Sequence, residues 1–215
     1  MWWHNPFSKE AAWKLLEACQ GYTISHLDKG PGVIIRHDID NDIRKSVRFA
    51  AIEREMGIRS VYYALDTADY WPSFGALDQI AKMGHEIGWH NNALTCWLES
   101  EMMADLRELV AGPISELRNA GFEIKGTSGH GSSKFTYNNH QIWGDSHWIG
   151  QPQFNLSEFG LEYEAMLTVQ RDYYYSDSRK RWFGDLQWND LLKLVNEHKE
   201  TKRIILLIHP EHWQI

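Results

Sequence analysis

Val33-Ile34-Ile35-Arg36-His37-Asp38-Ile39-Asp40 begins as a β-branched apolar run and ends polar. Introduced by Pro31-Gly32, it predicts a buried strand that ends near Asp38. Side chains alternate along a strand, so Asp38 and Asp40 share a face if the extended geometry persists. Arg36 has the same parity and is placed to pair with an aspartate, whereas His37 points the other way. Asp is a favoured helix N-cap, which gives Asp40, followed by Asn41-Asp42, a purely structural alternative.

The same alternation continues outward from this strand. Ser8 reads as an N-cap for a helix through about Gln20, with Trp13, Leu16 and Cys19 on one stripe and Gly21 closing it. Asp42 to Met56 carries apolar residues at helical spacing and stops at Gly57. Strands follow at Ser60–Leu65 and His85–His90, with a helix over Ser73–Met83 between them. A long helical stretch from about Glu99 to Asn119 is expected to kink or split at Gly112-Pro113. Phe122–Lys125 reads as a fourth strand, with short strands near 161–163 and 166–170. Asp185–His198 reads as a helix and Arg203–Ile208 as the last strand. Helices alternating with short apolar strands predict an α/β fold with a largely parallel sheet in one domain over residues 1–215. Ligands of such folds gather at the carboxyl ends of the strands.

Composition narrows the function. The 215 residues carry a net charge of −7, 43% hydrophobic and 24% charged residues, which suits a globular chain and disfavours nucleic-acid binding. The longest clean apolar run, Ile204 to Ile208, is far short of the ~20 residues of a membrane span. Cys19 and Cys96 are too few for a disulfide framework or a thiolate zinc site. With no basic or apolar leader at Met1-Trp2-Trp3, a cytoplasmic location is expected. Trp2 and Trp3 suit docking or association.

Eleven histidines make their positions informative. His90 ends one predicted strand, and His209 follows another in His209-Pro210-Glu211-His212-Trp213. Three strands therefore finish in Asp, His and His at the rim where a β/α protein builds its site. Carboxylate with imidazole suits zinc or another divalent first-row metal. His37 and His85, of opposite parity to Asp38 and His90, read as packed, hydrogen-bonded structural residues. His140, His147 and His198 read as ordinary surface or loop residues, and His212, after the rigid turn at Pro210, is left undecided between such a residue and one lining the pocket.

His37-Asp38-Ile39-Asp40, Gly84-His85-Glu86-Ile87-Gly88-Trp89-His90, Gly129-His130-Gly131-Ser132 and Leu207-Ile208-His209-Pro210 occur in this order. In order and spacing they resemble the motifs of the polysaccharide deacetylase (NodB-homology, family-four carbohydrate esterase) superfamily, in a divergent branch with a His-Asp-x-Asp first motif. The resemblance spans about residues 32 to 213. It implies a distorted (β/α) barrel of about seven parallel strands. The activity it implies is hydrolysis, by a metal-bound water, of an N-acyl group, most typically N-acetyl, on an amino-sugar derivative. Asp38 then matches the base, Asp40 a metal ligand, His90 the first histidine of a His-x-x-x-His pair and His209 the general acid. The second histidine of that pair is replaced by Leu94, and His130 in its glycine-flanked loop is the best substitute ligand. The Ser176-Asp177-Ser178 element before Arg181-Trp182 also resembles that branch, without an assigned chemistry. The metal would be zinc, with iron, cobalt, nickel or manganese equally suited to the donors. Trp89, Trp213 and Arg36, beside these residues, are candidates for substrate binding. The substrate would be a small molecule or glycan precursor. The alternatives are hydrolysis of another C–N bond, a formamide or cyclic amide, and a non-catalytic glycan-binding protein that has lost its metal.

Overall fold

The structure is a computed structural model that describes residues 6–132, 134–144, 154–180, 182 and 187–215. The readings of Trp2 and Trp3, His147, Arg181 and the start of the 185–198 helix lie outside the described residues. Among the described residues the fold is α/β, with seven strands in the sheet order β5-β4-β3-β2-β1-β7-β6 and six α-helices, consistent with the expected distorted (β/α) barrel. The strands are β1 (Gly32–Ile39), β2 (Val61–Leu65), β3 (Glu86–Asn91), β4 (Gly126–Gly129), β5 (Tyr163–Glu164), β6 (Tyr173–Ser176) and β7 (Arg203–Ile208). No helix among the described residues is long and apolar enough to cross a membrane.

The chain divides into two compact units: Met1–Tyr62 with Gly75–Glu86 and Gln170–Ile215, and Tyr63–Phe74 with Ile87–Val169. In the first, β1 runs parallel to β7, which runs parallel to β6. All eight β1 residues are buried, as a strand covered on both faces requires. Val33 and Ile35 join a core with Ile204, Leu206 and Ile208 of β7 and with Leu15, Leu16 and Cys19 of α1 (Lys9–Cys19). Phe49 of α2 (Ile43–Glu55) and Val195 of α6 (Trp188–His198) close that core. Ser8 caps α1 as expected, accepting from the Ala11 N–H, and Gly21 follows at φ 80°. Asp42, not Asp40, caps α2. The first unit also holds α3 (Gly75–Lys82).

His37 and His85 hydrogen-bond within this unit, as their parity predicts. Fully buried Glu53 of α2 accepts from His37 Nε2 at 2.8 Å, Ser60 Oγ at 2.5 Å and Tyr62 Oη at 2.7 Å. His85 Nε2 donates to the Ala50 carbonyl at 3.0 Å, leaving Nδ1 to accept from the Ser60 N–H.

In the second unit, β3, β4 and β5 run parallel. The stretch expected from about Glu99 to Asn119 is helical only as α5 (Leu106–Asn119), unbroken with Pro113 inside it, and a separate α4 (Ala93–Glu99) precedes it. Glu101 and Met102 take left-handed φ of 53° and 65° to end α4, and Asp105 starts α5 by accepting from the Arg107 and Glu108 N–H groups. The fourth strand is Gly126–Gly129, not Phe122–Lys125. Close approach selects its small residues: a Cβ at Gly126 would lie 2.0 Å from the Tyr163 ring, and one at Gly129 2.4 Å from His140 N. Of the two later strands, β5 agrees with the expected one near 161–163, but the next is Tyr173–Ser176 rather than 166–170.

Candidate functional site

Register sets the first unit's rim. Pairing of His37 with Ile208 and of Ser176 with Leu207 makes β1, β7 and β6 end side by side. The residues that follow, Asp38 to Asp40, His209 and Asp177, therefore emerge together. Asp38 is 3% exposed and forms a 2.6 Å ion pair with Arg36, itself 2% exposed. Both partners are buried, and Arg36 is the ion-pair companion of Asp38. Asp40 is half-buried, its Oδ2 3.9 Å from His209 Nε2.

Behind His209 lies Asp177, fully buried. Its Oδ1 accepts from His209 Nδ1 at 2.6 Å, and both its oxygens lie 3.0 Å from the His209 N–H. Trp213 Nε1 donates to Oδ2 at 2.9 Å, and His212 Nδ1 donates to the Asp177 carbonyl at 3.1 Å. Burial favours the neutral acid, yet the hydrogen bonds from His209, His212 and Trp213 hold Asp177 below its usual range. For His209, burial works against the charged ring. The Asp177 hydrogen bond and the charges of Asp177, Asp38 and Asp40 outweigh it and raise the pKa to about 9.

In the second unit, β3 pairs His90 with Ser128 and Asn91 with Gly129, so His130 follows beside Asn92. His90 and His130 lie edge to face with ring centroids 5.1 Å apart. His90 Nδ1 lies 2.9 Å from the Ser128 carbonyl, which only accepts, so Nδ1 carries the proton and Nε2 the lone pair. His130 Nδ1 lies 3.4 Å from Asn92 Oδ1, which also leaves Nε2 as the basic nitrogen. A ring whose other nitrogen donates to a carbonyl has the tautomer and orientation of a metal-ligating histidine. The donor chemistry therefore fits a divalent metal.

Trp89 and Trp213 are fully buried and offer no face to a ligand, a correction to the expectation from their position in sequence. Trp213 instead packs with Phe7, Phe49, Trp182 and Trp188 and supports Asp177. Leu94 is 1% exposed within α4, so the place of the absent histidine belongs to the core.

Two acids emerge that sequence reasoning gave no role. Asp177 was visible only as part of a Ser-Asp-Ser element. Asp66, directly after β2, is half-buried, and burial, opposed by the Trp89 indole and the charge of His90, pushes its pKa up to about 6. Its signal was its place at a strand's carboxyl end, the same signal that marked His90.

Compared with protein-family models and with curated proteins, the chain matches none.

Proposed function

We propose that this protein is a metal-dependent hydrolase that removes an N-acyl group, N-acetyl first among them, from an amino-sugar derivative. The observation that carries the reading is the pairing of an acid and a base at adjacent strand ends. His209 is held protonated by Asp177, while Asp38 is the carboxylate of a buried ion pair with Arg36. Groups kept in opposite protonation states on one rim are the requirement of amide hydrolysis.

The sequence motifs assign the metal to Asp40, His90 and His130, one carboxylate and two imidazoles. A divalent ion held by these residues would supply Lewis acidity toward the acyl carbonyl and the attacking water. Asp38 accepts a proton from that water as its oxygen bonds to the carbonyl carbon, and Arg36 holds the carboxylate in place. His209 then gives its Nε2 proton to the amide nitrogen as the C–N bond breaks, releasing an amine and a carboxylic acid. Asp177 keeps the Nδ1 proton engaged, so Nε2 is the nitrogen that delivers.

The test is metal content by mass spectrometry on protein purified without chelator or metal-binding tag, followed by acetate release from N-acetyl amino sugars. Near-stoichiometric metal in the wild type, lost in Asp40→Ala and His130→Ala, is expected. Turnover should fall on the order of 10²–10⁴-fold in Asp38→Asn and His209→Ala. A wild type that holds no metal even after reconstitution would overturn the reading in favour of a glycan-binding protein without catalysis.

A further inference from the structure

With Leu94 in the core, a second imidazole cannot come from the turn of helix that follows His90. His130 instead sits between Gly129 and Gly131, on backbone that loses more freedom on ordering than any other residue type would. A ligand on such a loop needs restraints that a helix provides by itself. We propose that Asn139 is the positioning residue that fixes His130 and determines which ring nitrogen it offers. This rests on the reading of His130 as a metal ligand.

Asn139 is fully buried at the start of a 3₁₀ turn, Asn139–Ile142. Its Nδ2 donates to the His130 carbonyl at 2.8 Å, to Thr95 Oγ1 at 3.0 Å and toward Asn92 Oδ1 at 3.2 Å. Its Oδ1 accepts from the Thr95 N–H at 2.9 Å, and its carbonyl accepts from Asn91 Nδ2 at 2.9 Å. One side chain thus joins the His130 loop to the start of α4. It also orients Asn92, whose Nδ2 donates to Thr67 Oγ1, so that Asn92 Oδ1 faces His130 Nδ1. An acceptor at that place keeps the proton on Nδ1 and the lone pair on Nε2. The His130 N–H donates to the Asn91 carbonyl at 2.8 Å, and the Gly129 N–H to Glu164 Oε1 at 3.1 Å, so the loop is held from both sides. A loop histidine anchored at its N–H, carbonyl and ring is preorganised to the degree a ligand requires.

The experiment measures cobalt and zinc affinity by competition with a chromophoric chelator. It compares wild type, Asn139→Ala, His130→Ala and the double variant, and reads the His130 tautomer from ring nitrogen shifts in metal-free protein. Asn139→Ala should weaken metal binding roughly 10- to 100-fold. It should weaken it no further in the His130→Ala background, because both substitutions remove one contribution. In metal-free protein, the defined Nδ1–H tautomer of His130 should give way to a mixture. Asn92→Ala, which removes only the ring's acceptor, should show the same tautomer loss, and it serves if Asn139→Ala does not fold. Multiplying losses in the double variant, or a His130 tautomer unchanged in both asparagine variants, would overturn the proposal. A wild type that binds no metal yet loses its His130 tautomer in Asn139→Ala would sink the hydrolase reading and leave the positioning role standing.

Discussion

Asp177 grips His209 twice, accepting from its backbone N–H at 3.0 Å and from its ring Nδ1 at 2.6 Å. The two contacts fix both where the ring begins and how it is turned. Substituting Asp177→Asn keeps the shape and removes the charge. The His209 pKa, followed by NMR titration of its ring protons, should then fall from about 9. Turnover should drop on the order of 10²–10⁴-fold, as for loss of an acid–base group. An unchanged His209 titration would show that Asp177 does not set it.

Stability should peak near pH 6.5, because two histidines pull in opposite directions. Burial, together with the charges of Arg36 and Arg203, pushes the pKa of His26 down to about 3. The unfolded chain takes up that proton below 6.5 and the folded chain does not, so this histidine lowers stability by about 1.4 kcal/mol per pH unit as the pH drops. Below 6 it is opposed by Asp66, whose raised carboxyl holds a proton the unfolded chain lacks. His209 is raised, so its contribution is complete below 6.5 and is lost as the pH climbs through about 9. Glu53, lowered despite its burial by His37, His85 and Ser60, adds to the acid limb below 4.5. Urea midpoints at pH 5, 6.5 and 8.5 should trace this maximum, and His26→Gln should flatten its acid side. A monotonic rise across the range would contradict the placement of His209.

Glu53 is expected to matter for folding and not for metal. Its fully buried carboxylate receives three donors. Glu53→Gln removes the charge and turns an N–H₂ group toward His37 in one amide orientation or toward Ser60 and Tyr62 in the other. It should cost about 2–4 kcal/mol, read as a shift of denaturant midpoint at constant slope. Metal stoichiometry at low temperature should be unchanged. Loss of metal in a folded Glu53→Gln protein would show that this network reaches the site.

The elements that sequence reading located well are those whose signal is local. Ser8, Gly21 and Gly57 punctuate helices by capping and left-handed backbone, and Val33–Ile35 and Ile204–Ile208 are apolar enough to be buried strands on any reading. The parity of Asp38, His37, His85 and His90 also carried through, since alternation is a property of the strand itself. What failed depended on distant partners. Gly126-Thr127-Ser128-Gly129 has no β-branched run, and its smallness makes sense only against Tyr163 and His140. Pro113 announces a helix break, yet α5 runs through it unbroken. Asp177 and Asn139 acquire their roles from residues far along the chain, and nothing near them in sequence says so. Trp89 and Trp213 neighbour site residues in sequence but are turned into the core.

Trp213 separates these two kinds of neighbour most sharply. A tryptophan stacked on a sugar would, when replaced, weaken substrate binding and raise KM. In this structure the indole is fully buried, and its Nε1 donates to Asp177 Oδ2 at 2.9 Å, so its influence runs through Asp177 to His209. Trp213→Phe keeps an aromatic ring among Phe7, Phe49 and Trp188 and removes only the donor and some volume. We expect a stability loss of about 1–3 kcal/mol from the lost charge-assisted bond and the small cavity. On an N-acetyl amino-sugar substrate, kcat should fall several-fold while KM stays within a factor of two. Titration of the His209 ring should shift in the same variant, because Asp177 would have lost one of the donors that stabilise its charge. A raised KM with an unmoved His209 titration would return Trp213 to the substrate face.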